Sequence, residues 1–404
     1  MQREGRIIAT FITILLLSML IPLSSSANEA KQVNLHSKKE THISVKERHN
    51  FSRFTYDSGY DFEYPDAVRG IYVTGNSAGG SRFDTLVDLI DSTDLNTMVI
   101  DIKDDFGHLT FKPDEDSPFS DIALNYINDP EKMMQVLEEK GIYPIARVVV
   151  FKDTELAKQR PELSFTKNGE VWVNNKEEAF VNPFEKEVWE HNVEIAKMAA
   201  EMGFQDIQFD YVRFPEGFEN LDEELEYSLG DYADSDLDNI KRRVEAVTDF
   251  VKYAREELSS YDVDMSVDIF GYAATIEETP GIGQNFSKIS ENVDVISSMI
   301  YPSHWTSYFD IEIPDMEPYK LVTEYAEVEN EVLSNLEEPP LSRPWIQDFD
   351  APWLYKSLGK PTFHYGKEEV EAQIKALYEN GINEFLLWNS GNVYTEGVDY
   401  LQPN

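Results

Sequence analysis

The 404-residue sequence contains no cysteine, so disulfide bonds, thiolate metal sites and a cysteine nucleophile are all excluded. Basic residues are also scarce, because 35 Lys and Arg stand against 76 Asp and Glu, giving a formal net charge of −41. A field of that sign repels phosphates, which argues against nucleic acid and anionic membrane surfaces as partners. We interpret the acidity as a solvated surface; an acidic face that recruits cationic partners is the alternative.

Motifs for several common reactions are missing as well. None of the seven histidines forms an i, i+4 pair with a nearby glutamate, which argues against a catalytic zinc. The acidic stretch at 216–238 lacks EF-hand spacing, so we interpret it as a solvated charge run rather than a calcium site. We therefore expect no metal and no cofactor.

Long hydrophobic runs are confined to the N-terminus. Arg3 and Arg6 precede an apolar run at 7–23, and Ser24–Ala27 then supply small residues of the kind that a signal peptidase requires. Residues 1–27 are predicted to be a secretory signal peptide, with an uncleaved membrane anchor as the alternative. Residues 28–64 are polar and lack periodicity, which predicts a disordered linker. The protein is thus expected to be secreted or tethered to the outer cell surface.

From residue 65 to 404, apolar strand-like runs alternate with amphipathic helical runs. Strands are predicted at 69–74, 97–102, 143–150, within 206–215, and at 264–270, 293–300, 344–349 and 384–388. Helices are predicted at about 81–93, 130–140, 188–202, 237–259 and 367–380. Eight strands, mostly separated by helices, indicate an α/β protein with a single (β/α)₈ TIM barrel. An open doubly wound sheet is the alternative, but the loop at 75–80 matches neither common phosphate-binding fingerprint.

The strongest candidate site follows the fourth strand. A parallel strand buried on both faces should be apolar, so the charges of Asp210 and Arg213 at its end need a reason to be there. In a closed barrel, the chemistry lies at the carboxyl ends of the strands. The fifth strand carries Asp268 near its own end, so a second carboxylate is expected at the same mouth.

Five segments of the chain carry a resemblance to a known family. They are Tyr72–Thr74, Val99–Gly107, Asp210–Pro215, Asp268–Gly271 and Met299–His304. Together they resemble the bacterial "putative glycosyl hydrolase domain" family, a set of secreted barrels similar to the α-amylase superfamily, over roughly 66–392. In amylase-like barrels the nucleophile is an aspartate at the end of strand four, with an arginine nearby, and the general acid follows strand five. The resemblance implies these positions for Asp210 and for Asp268, which stands where amylases have glutamate.

The chemistry can also be argued from the residues alone. Cleavage of a glycosidic bond requires one carboxylic acid to protonate the leaving oxygen and a second carboxylate to attack or to activate water. Arg213 is expected to keep Asp210 ionised as nucleophile or base, whereas apolar neighbours are expected to keep Asp268 protonated as the acid. Asp348 after strand seven, and Asp101 or Asp104 after strand two, are alternatives for the second carboxylate. The other interpretation of Asp210 and Arg213 is a structural ion pair.

Residues at or beyond the strand ends predict the substrate class. Sugar rings stack on aromatic side chains, while polar side chains bind hydroxyls. The predicted substrate-binding residues are Asp101, Lys103, Arg147, Tyr211, Arg213, Tyr301, His304, Trp305, Asp348, Trp388 and Asn389. We expect only one of Asp101 and Lys103, which lie on the same strand, to point into the mouth. The sequence predicts a glycoside hydrolase acting on a carbohydrate, a polysaccharide or oligosaccharide; the alternative is a barrel that binds glycans without catalysis.

Overall fold

Eight parallel strands close into a barrel in the computed structural model, which describes residues 55–401. The barrel strands are β1 (Arg69–Val73), β2 (Thr97–Lys103), β3 (Tyr143–Val149), β4 (Asp206–Asp210), β5 (Asp264–Phe270), β6 (Val295–Met299), β7 (Trp345–Gln347) and β8 (Phe385–Trp388). β1 pairs with both β2 and β8, which closes the sheet. The predicted (β/α)₈ TIM barrel is confirmed.

Helices cover the outside of the barrel. They are α1 (Arg82–Asp91), α2 (Pro130–Lys140), α3 (Lys186–Glu201), α4 (Asn239–Leu258), α5 (Phe286–Ser290), α6 (Pro318–Ser334) and α7 (Lys367–Glu379). The connections add helical turns at Gly75–Ala78, Thr154–Gln159, Phe218–Leu221 and Pro352–Leu358, and strands at Leu109–Phe111, Ala123–Ile127, Thr166–Lys167, Glu170–Val171 and Leu341–Ser342. α6 is absent from the predicted helices, although Leu321, Val322 and Tyr325 recur at helical spacing and are buried.

Local sequence signals explain where α2 begins and ends. The Asp129 side chain accepts a hydrogen bond from the backbone N–H of Lys132, and Pro130 occupies the first turn, where its missing N–H costs nothing. At the other end, Gly141 adopts the left-handed conformation at φ +63°, which a residue with a β-carbon adopts at a cost. The helix therefore returns the chain to the start of β3 at a fixed point.

Apolar residues form two separate cores. One fills the layer between the strands and the outer helices, and the other fills the barrel lumen. The lumen is unusually aromatic, since Tyr72, Tyr143, Tyr301 and Trp345 are buried there and Trp388 packs against them. Because side chains fill the lumen, a site for chemistry must lie at an open end of the barrel.

A buried ionic cluster fills the N-terminal end of the barrel. Arg343 donates hydrogen bonds to Asp206 and Glu384, each at 2.8 Å, and to the Tyr64 hydroxyl at 2.9 Å. The side chains of Arg343 and Asp206 are fully buried. This end of the barrel is therefore closed by charges that satisfy one another, and the opposite end is the one available for a site.

Residues 55–64, the last part of the predicted linker, pack against the barrel. Tyr56 forms a β-bridge with Tyr261, which precedes β5. The Tyr60 ring lies against Gly203, where a β-carbon would come within 2.5 Å of it. The contacts with the barrel therefore begin before residue 65, because aromatic side chains in this stretch pack against it.

No helix within residues 55–401 is both long enough and apolar enough to cross a membrane. The predicted signal peptide at 1–27 and the linker as far as residue 54 lie outside the described residues.

A carboxyl group is buried between α6 and the barrel. Glu329 accepts hydrogen bonds from the Ser298 and Ser342 hydroxyls, and burial raises its pKa above the ordinary value of 4.5. With a folded-state pKa above the unfolded one, Glu329 contributes its full stability below pH 4.5, and that contribution is lost as the pH rises through the folded-state pKa. We therefore expect Glu329→Gln to raise stability at pH 8 and to flatten its pH dependence.

Urea unfolding at pH 5 and pH 8 measures this effect. Glu327→Gln is the matched control, because Glu327 is exposed on the same helix. A Glu329→Gln variant that is destabilised equally at both pH values would show that the buried group is held as a carboxylate.

Candidate active site

Asp210 and Asp268 lie at the carboxyl ends of neighbouring strands. β4 and β5 pair in parallel with Phe209 opposite Val267, so the two aspartates follow at the next step of the register. Both are nearly buried, with 4% of Asp210 and 1% of Asp268 exposed. Paired strands lie about 4.8 Å apart. The two carboxyl groups are therefore neighbours at one mouth of the barrel.

The partner of Asp210 is Arg147 on β3. The Arg147 Nε and one terminal nitrogen donate to Asp210 Oδ2 at 2.9 and 2.6 Å, while the backbone N–H of Tyr211 donates to Oδ1. Arg213, the partner expected from the sequence, instead donates to Glu216 at 3.1 Å and to the Phe214 carbonyl. The pairing of Asp210 with Arg213 is thus wrong, because β3 lies beside β4 and delivers Arg147 directly to the carboxylate.

Arg147 also binds two further carboxylates. Its terminal nitrogens donate to Asp101 at 2.7 Å and to Asp105 at 2.8 Å. Burial raises the pKa of Asp101 to about 6, although Arg147 and the Tyr72 hydroxyl oppose the rise. Burial would also raise the pKa of Asp105, but Arg147 and Lys152 outweigh it and lower that pKa to about 2. A single buried guanidinium therefore organises three carboxylates at the mouth.

Asp268 occupies a different environment from Asp210. Its Oδ1 accepts a hydrogen bond of 2.7 Å from the indole N–H of Trp345, which reaches it across the lumen from β7. Burial, and then the negative charge of Asp210, raise the pKa of Asp268 well above its usual range. The surroundings of Asp268 therefore favour its protonated form.

The indole of Trp345 tunes Asp268. Because its hydrogen bond favours the carboxylate form, Trp345→Phe is expected to raise the pKa of Asp268 further. If Asp268 must be protonated to work, the alkaline limb of a kcat/KM pH profile will move to higher pH. Trp189→Phe on α3 is the matched control, since that indole donates to the Pro183 carbonyl outside the lumen. An alkaline limb that moves to lower pH, or stays where it is, would contradict this role of Trp345.

Tyr211 has an unusual backbone conformation for a residue with a side chain. Its φ is +53°, in the left-handed region, directly after Asp210. Lys152 Nζ lies 3.3 Å from its hydroxyl and 4.6 Å from its ring centroid, while Arg213 lies 4.8 Å from the same ring. Strained residues cluster at functional sites when surrounding contacts hold them, and here two cations do so.

Other predicted residues form an aromatic wall on the far side of the mouth. Trp388 stacks on Tyr72 with ring centroids 4.1 Å apart, and Arg147 lies 5.5 Å over the Trp388 ring. Tyr301 is nearly buried and meets the exposed His304 edge to face at 5.3 Å. Trp388 thus lies beside Arg147, whereas His304 contacts the aromatic wall through Tyr301.

Four predicted residues lie elsewhere or are already occupied. A register shift between Asp101 and Lys103 turns the lysine away from the mouth, where it pairs with Asp153 at 2.6 Å. Trp305 packs beneath the rim against Tyr325. The Asp348 carboxylate accepts bonds from Thr395, and the Asn389 amide donates to the Asp348 and Val393 carbonyls. Of Asp101 and Lys103, only Asp101 therefore points into the mouth. Asp348 and Asn389 hold loops in place.

Four residues of the site were missed. They are Tyr72, Asp105, Lys152 and Trp345. Asp105 closes the Asp-Ile-Lys-Asp-Asp run that begins within β2, and Lys152 follows β3, so position after a strand was the available signal. Tyr72 and Trp345 sit within strands and gave no signal beyond that of core residues.

No group of three or more His, Cys, Asp or Glu side chains in the described part of the chain is arranged to hold a metal ion. The carboxylates at the mouth are held by Arg147 and Lys152 instead.

Comparisons with solved structures give two useful likenesses. The PgaB (BpsB) glycoside hydrolase domain from Bordetella bronchiseptica is 15% identical, with a TM-score of 0.55, over 80% of this chain and 94% of that one. A hypothetical protein from Ruminiclostridium thermocellum is 32% identical, with a TM-score of 0.42, over 49% of this chain and 96% of that one. The first likeness bears on the fold alone. A search of curated proteins found no match.

The family is decided by the sequence itself. A family profile described as a putative glycosyl hydrolase domain matches residues 70–394. This range contains all eight barrel strands except Arg69, the first residue of β1. The matched range also contains every residue around Arg147. The chain therefore belongs to the "putative glycosyl hydrolase domain" family and carries a barrel of the glycoside hydrolase type.

Proposed function

We propose that the protein hydrolyses O-glycosidic bonds of an oligosaccharide or polysaccharide outside the cytoplasm. The observation that carries the proposal is the contrast between two neighbouring carboxyl groups. Asp210 lies against the Arg147 guanidinium, whereas burial and the charge of Asp210 raise the pKa of Asp268. A glycosidase needs one carboxyl group of each kind.

The reaction follows from these two environments. Asp268, with one oxygen bound to Trp345, gives the proton on its other oxygen to the glycosidic oxygen as the bond to the anomeric carbon breaks. Asp210 attacks that carbon as the nucleophile, because adjacent strands about 4.8 Å apart suit the carboxyl separation of about 5–5.5 Å found in retaining enzymes. Water then releases the sugar, with Asp268 taking back a proton.

A glycan-binding barrel without catalysis is the second candidate. It is favoured by the low exposure of the two aspartates and by the saturation of Asp210, both of whose oxygens already accept hydrogen bonds. A binding role would use the aromatic wall at Tyr301 and Trp388 without requiring a substrate atom to reach the carboxylates. The two candidates make different predictions for turnover.

A glycan panel with product analysis tests the proposal. The purified protein is incubated with neutral, amino-sugar and uronic-acid polysaccharides, and released sugars are quantified by mass spectrometry. Hydrolysis of at least one glycan, with retention of anomeric configuration by NMR, is expected. Glycan retention on affinity gels with no released sugar would replace the hydrolase with the binding barrel.

The proposed location is outside the cytoplasm, secreted or tethered to the cell surface. It rests on the charged start, apolar run and small residues of 1–27. When the full chain is produced in a bacterial host, the mature N-terminus is expected at Asn28, and N-terminal sequencing of the exported protein reads it directly. A mature protein that starts at Met1 and stays with the membrane fraction would indicate the uncleaved anchor.

A further inference from the structure

A cleft of about 560 Å³ lies beside the mouth, at the ends of β5 and β6. Its volume falls within the range of about 300–1,000 Å³ for small-ligand sites. Six of its lining residues matter here: Glu216, Glu219, Phe270, Tyr272, Trp305 and Tyr308. Among them, only Trp305 was predicted from the sequence to bind substrate.

The cleft begins on the Asp268 side of the mouth. Phe270 follows Asp268 by two residues on β5 and pairs with Met299 at the end of β6, and both side chains line the cleft. Arg213 stacks on the Phe270 ring at 4.6 Å and on the Tyr211 ring at 4.8 Å. Arg213 therefore stands between the cleft and Tyr211, which directly follows Asp210.

Two tyrosines present ring surface to the cleft. Tyr272 and Tyr308 are each 37% exposed, although they belong to the loops that follow two different strands. The Tyr308 hydroxyl donates to Thr275 at 2.9 Å, and its ring meets Trp305 edge to face at 5.3 Å. These contacts hold the Tyr308 ring, and stacking on Phe270 at 5.8 Å holds the Tyr272 ring, while both rings stay partly exposed.

Close packing beneath the rings keeps the cleft in shape. A β-carbon at Gly271 would lie 2.9 Å from the Met299 carbonyl and 3.0 Å from the Trp305 ring, so glycine lets the indole seat under the loop. On the opposite wall, Glu219 rests on Gly281, where a β-carbon would come within 1.9 Å of its carboxylate. The cleft thus combines fixed aromatic rings with exposed carboxylates that can accept hydrogen bonds from hydroxyls.

We propose that this cleft binds the sugar residues on the leaving-group side of the scissile bond. The proposal rests on the proposed function, in which Asp268 protonates the leaving oxygen, so the departing group must lie next to Asp268 and away from Asp210. Rings such as Tyr272 and Tyr308 stack on the C–H faces of sugars, and the Glu216 and Glu219 carboxylates accept hydrogen bonds from hydroxyl or amino groups. The substrate class is therefore a glycan in which a saccharide, rather than a small aglycone, leaves.

Paired substrates isolate the contribution of the cleft. The probes are a 4-nitrophenyl glycoside and the tetrasaccharide of the same sugar, chosen from the glycan panel. In the double variant Tyr272→Ala/Tyr308→Ala, kcat/KM for the tetrasaccharide is expected to fall at least about tenfold more than kcat/KM for the nitrophenyl glycoside. Tyr272→Phe/Tyr308→Phe retains the rings and is expected to keep the wild-type ratio. Tyr56→Ala is the matched control, since Tyr56 is 45% exposed at the opposite end of the barrel.

A ratio unchanged from wild type in the alanine variant would overturn the proposal. If the wild-type protein hydrolyses neither probe, the proposed function fails by itself, and a binding measurement still decides the cleft. Asp210→Asn/Asp268→Asn protein is applied to immobilised tetrasaccharide with and without the two tyrosine-to-alanine changes. Loss of retention with the alanines supports glycan binding in the cleft, and equal retention overturns it.

Discussion

Replacing Asp210 with asparagine is expected to lower kcat for glycan hydrolysis on the order of 10⁴-fold, as loss of an essential group does in other hydrolases. An amide keeps the shape of the side chain and can still accept a bond from Arg147, but it cannot attack the anomeric carbon. Single-turnover kinetics on the best glycan of the panel measure the effect.

The controls for this variant separate catalysis from binding. Asp121→Asn changes an exposed carboxylate on the outer surface and is expected to leave turnover unchanged. Glycan retention on an affinity gel should persist in Asp210→Asn, because the aromatic wall at Tyr301 and Trp388 is intact. Wild-type turnover by Asp210→Asn would remove this residue from the mechanism.

Replacing Arg147 with methionine is expected to destabilise the fold by about 3–5 kcal/mol, the usual cost of leaving buried charges without their partner. The Arg147 side chain is 1% exposed. It pairs with the side chains of Asp101 and Asp210, which are each 6% exposed. Methionine fills a similar volume, so the loss comes from charge rather than from a cavity. Urea unfolding followed by circular dichroism gives the free energy.

Two further variants test whether the loss of stability comes from buried charges left without a partner. Arg160→Met removes an arginine that is 44% exposed and paired at the surface, and should leave the urea midpoint close to that of wild type. Arg147→Met/Asp210→Asn should recover part of the loss, because one uncompensated charge is gone. If Arg147→Met unfolds at the same urea concentration as wild type, the carboxylates take up protons freely and the cluster does not hold the mouth together.

The barrel itself could be predicted because each strand carries its own signal. Apolar runs that end in polar residues marked the strands, and amphipathic runs marked α1 to α4 and α7. α6 was missed although its buried apolar residues have helical spacing, because the long β6–β7 connection begins with an irregular loop. Asp210 and Asp268 could be placed at one mouth because carboxyl ends of parallel strands share an edge.

The partners of those aspartates could not be predicted in the same way. Closeness in sequence suggested Arg213 for Asp210, but Arg213 lies beyond the strand end and stacks between Tyr211 and Phe270. Contacts between strands depend on register, which brought Arg147 to Asp210 across 63 positions of the chain. Register also shifts after Asp101, and that shift, invisible in the sequence, turned Lys103 outward.

Aromatic residues were difficult for a related reason. Trp305 and Trp388 both lie at strand ends, yet one packs beneath the rim and the other lines the mouth. Trp345 looked like a core residue and proves to hold Asp268 through its indole nitrogen. A hydrophobic pattern does not register the polar atom of a large apolar side chain. The three-dimensional structure is therefore needed to show which aromatic residues contact the site.

Leaving-group dependence tests the central claim most directly, namely that Asp210 attacks while Asp268 supplies the proton. Asp268→Asn and Asp210→Asn are each assayed on a tetrasaccharide and on a dinitrophenyl glycoside of the same sugar, whose leaving group departs without protonation. The account predicts that Asp268→Asn loses the tetrasaccharide activity but keeps most of the dinitrophenyl glycoside activity, and that Asp210→Asn loses both. Equal loss of the two activities in Asp268→Asn, or survival of either in Asp210→Asn, would contradict it.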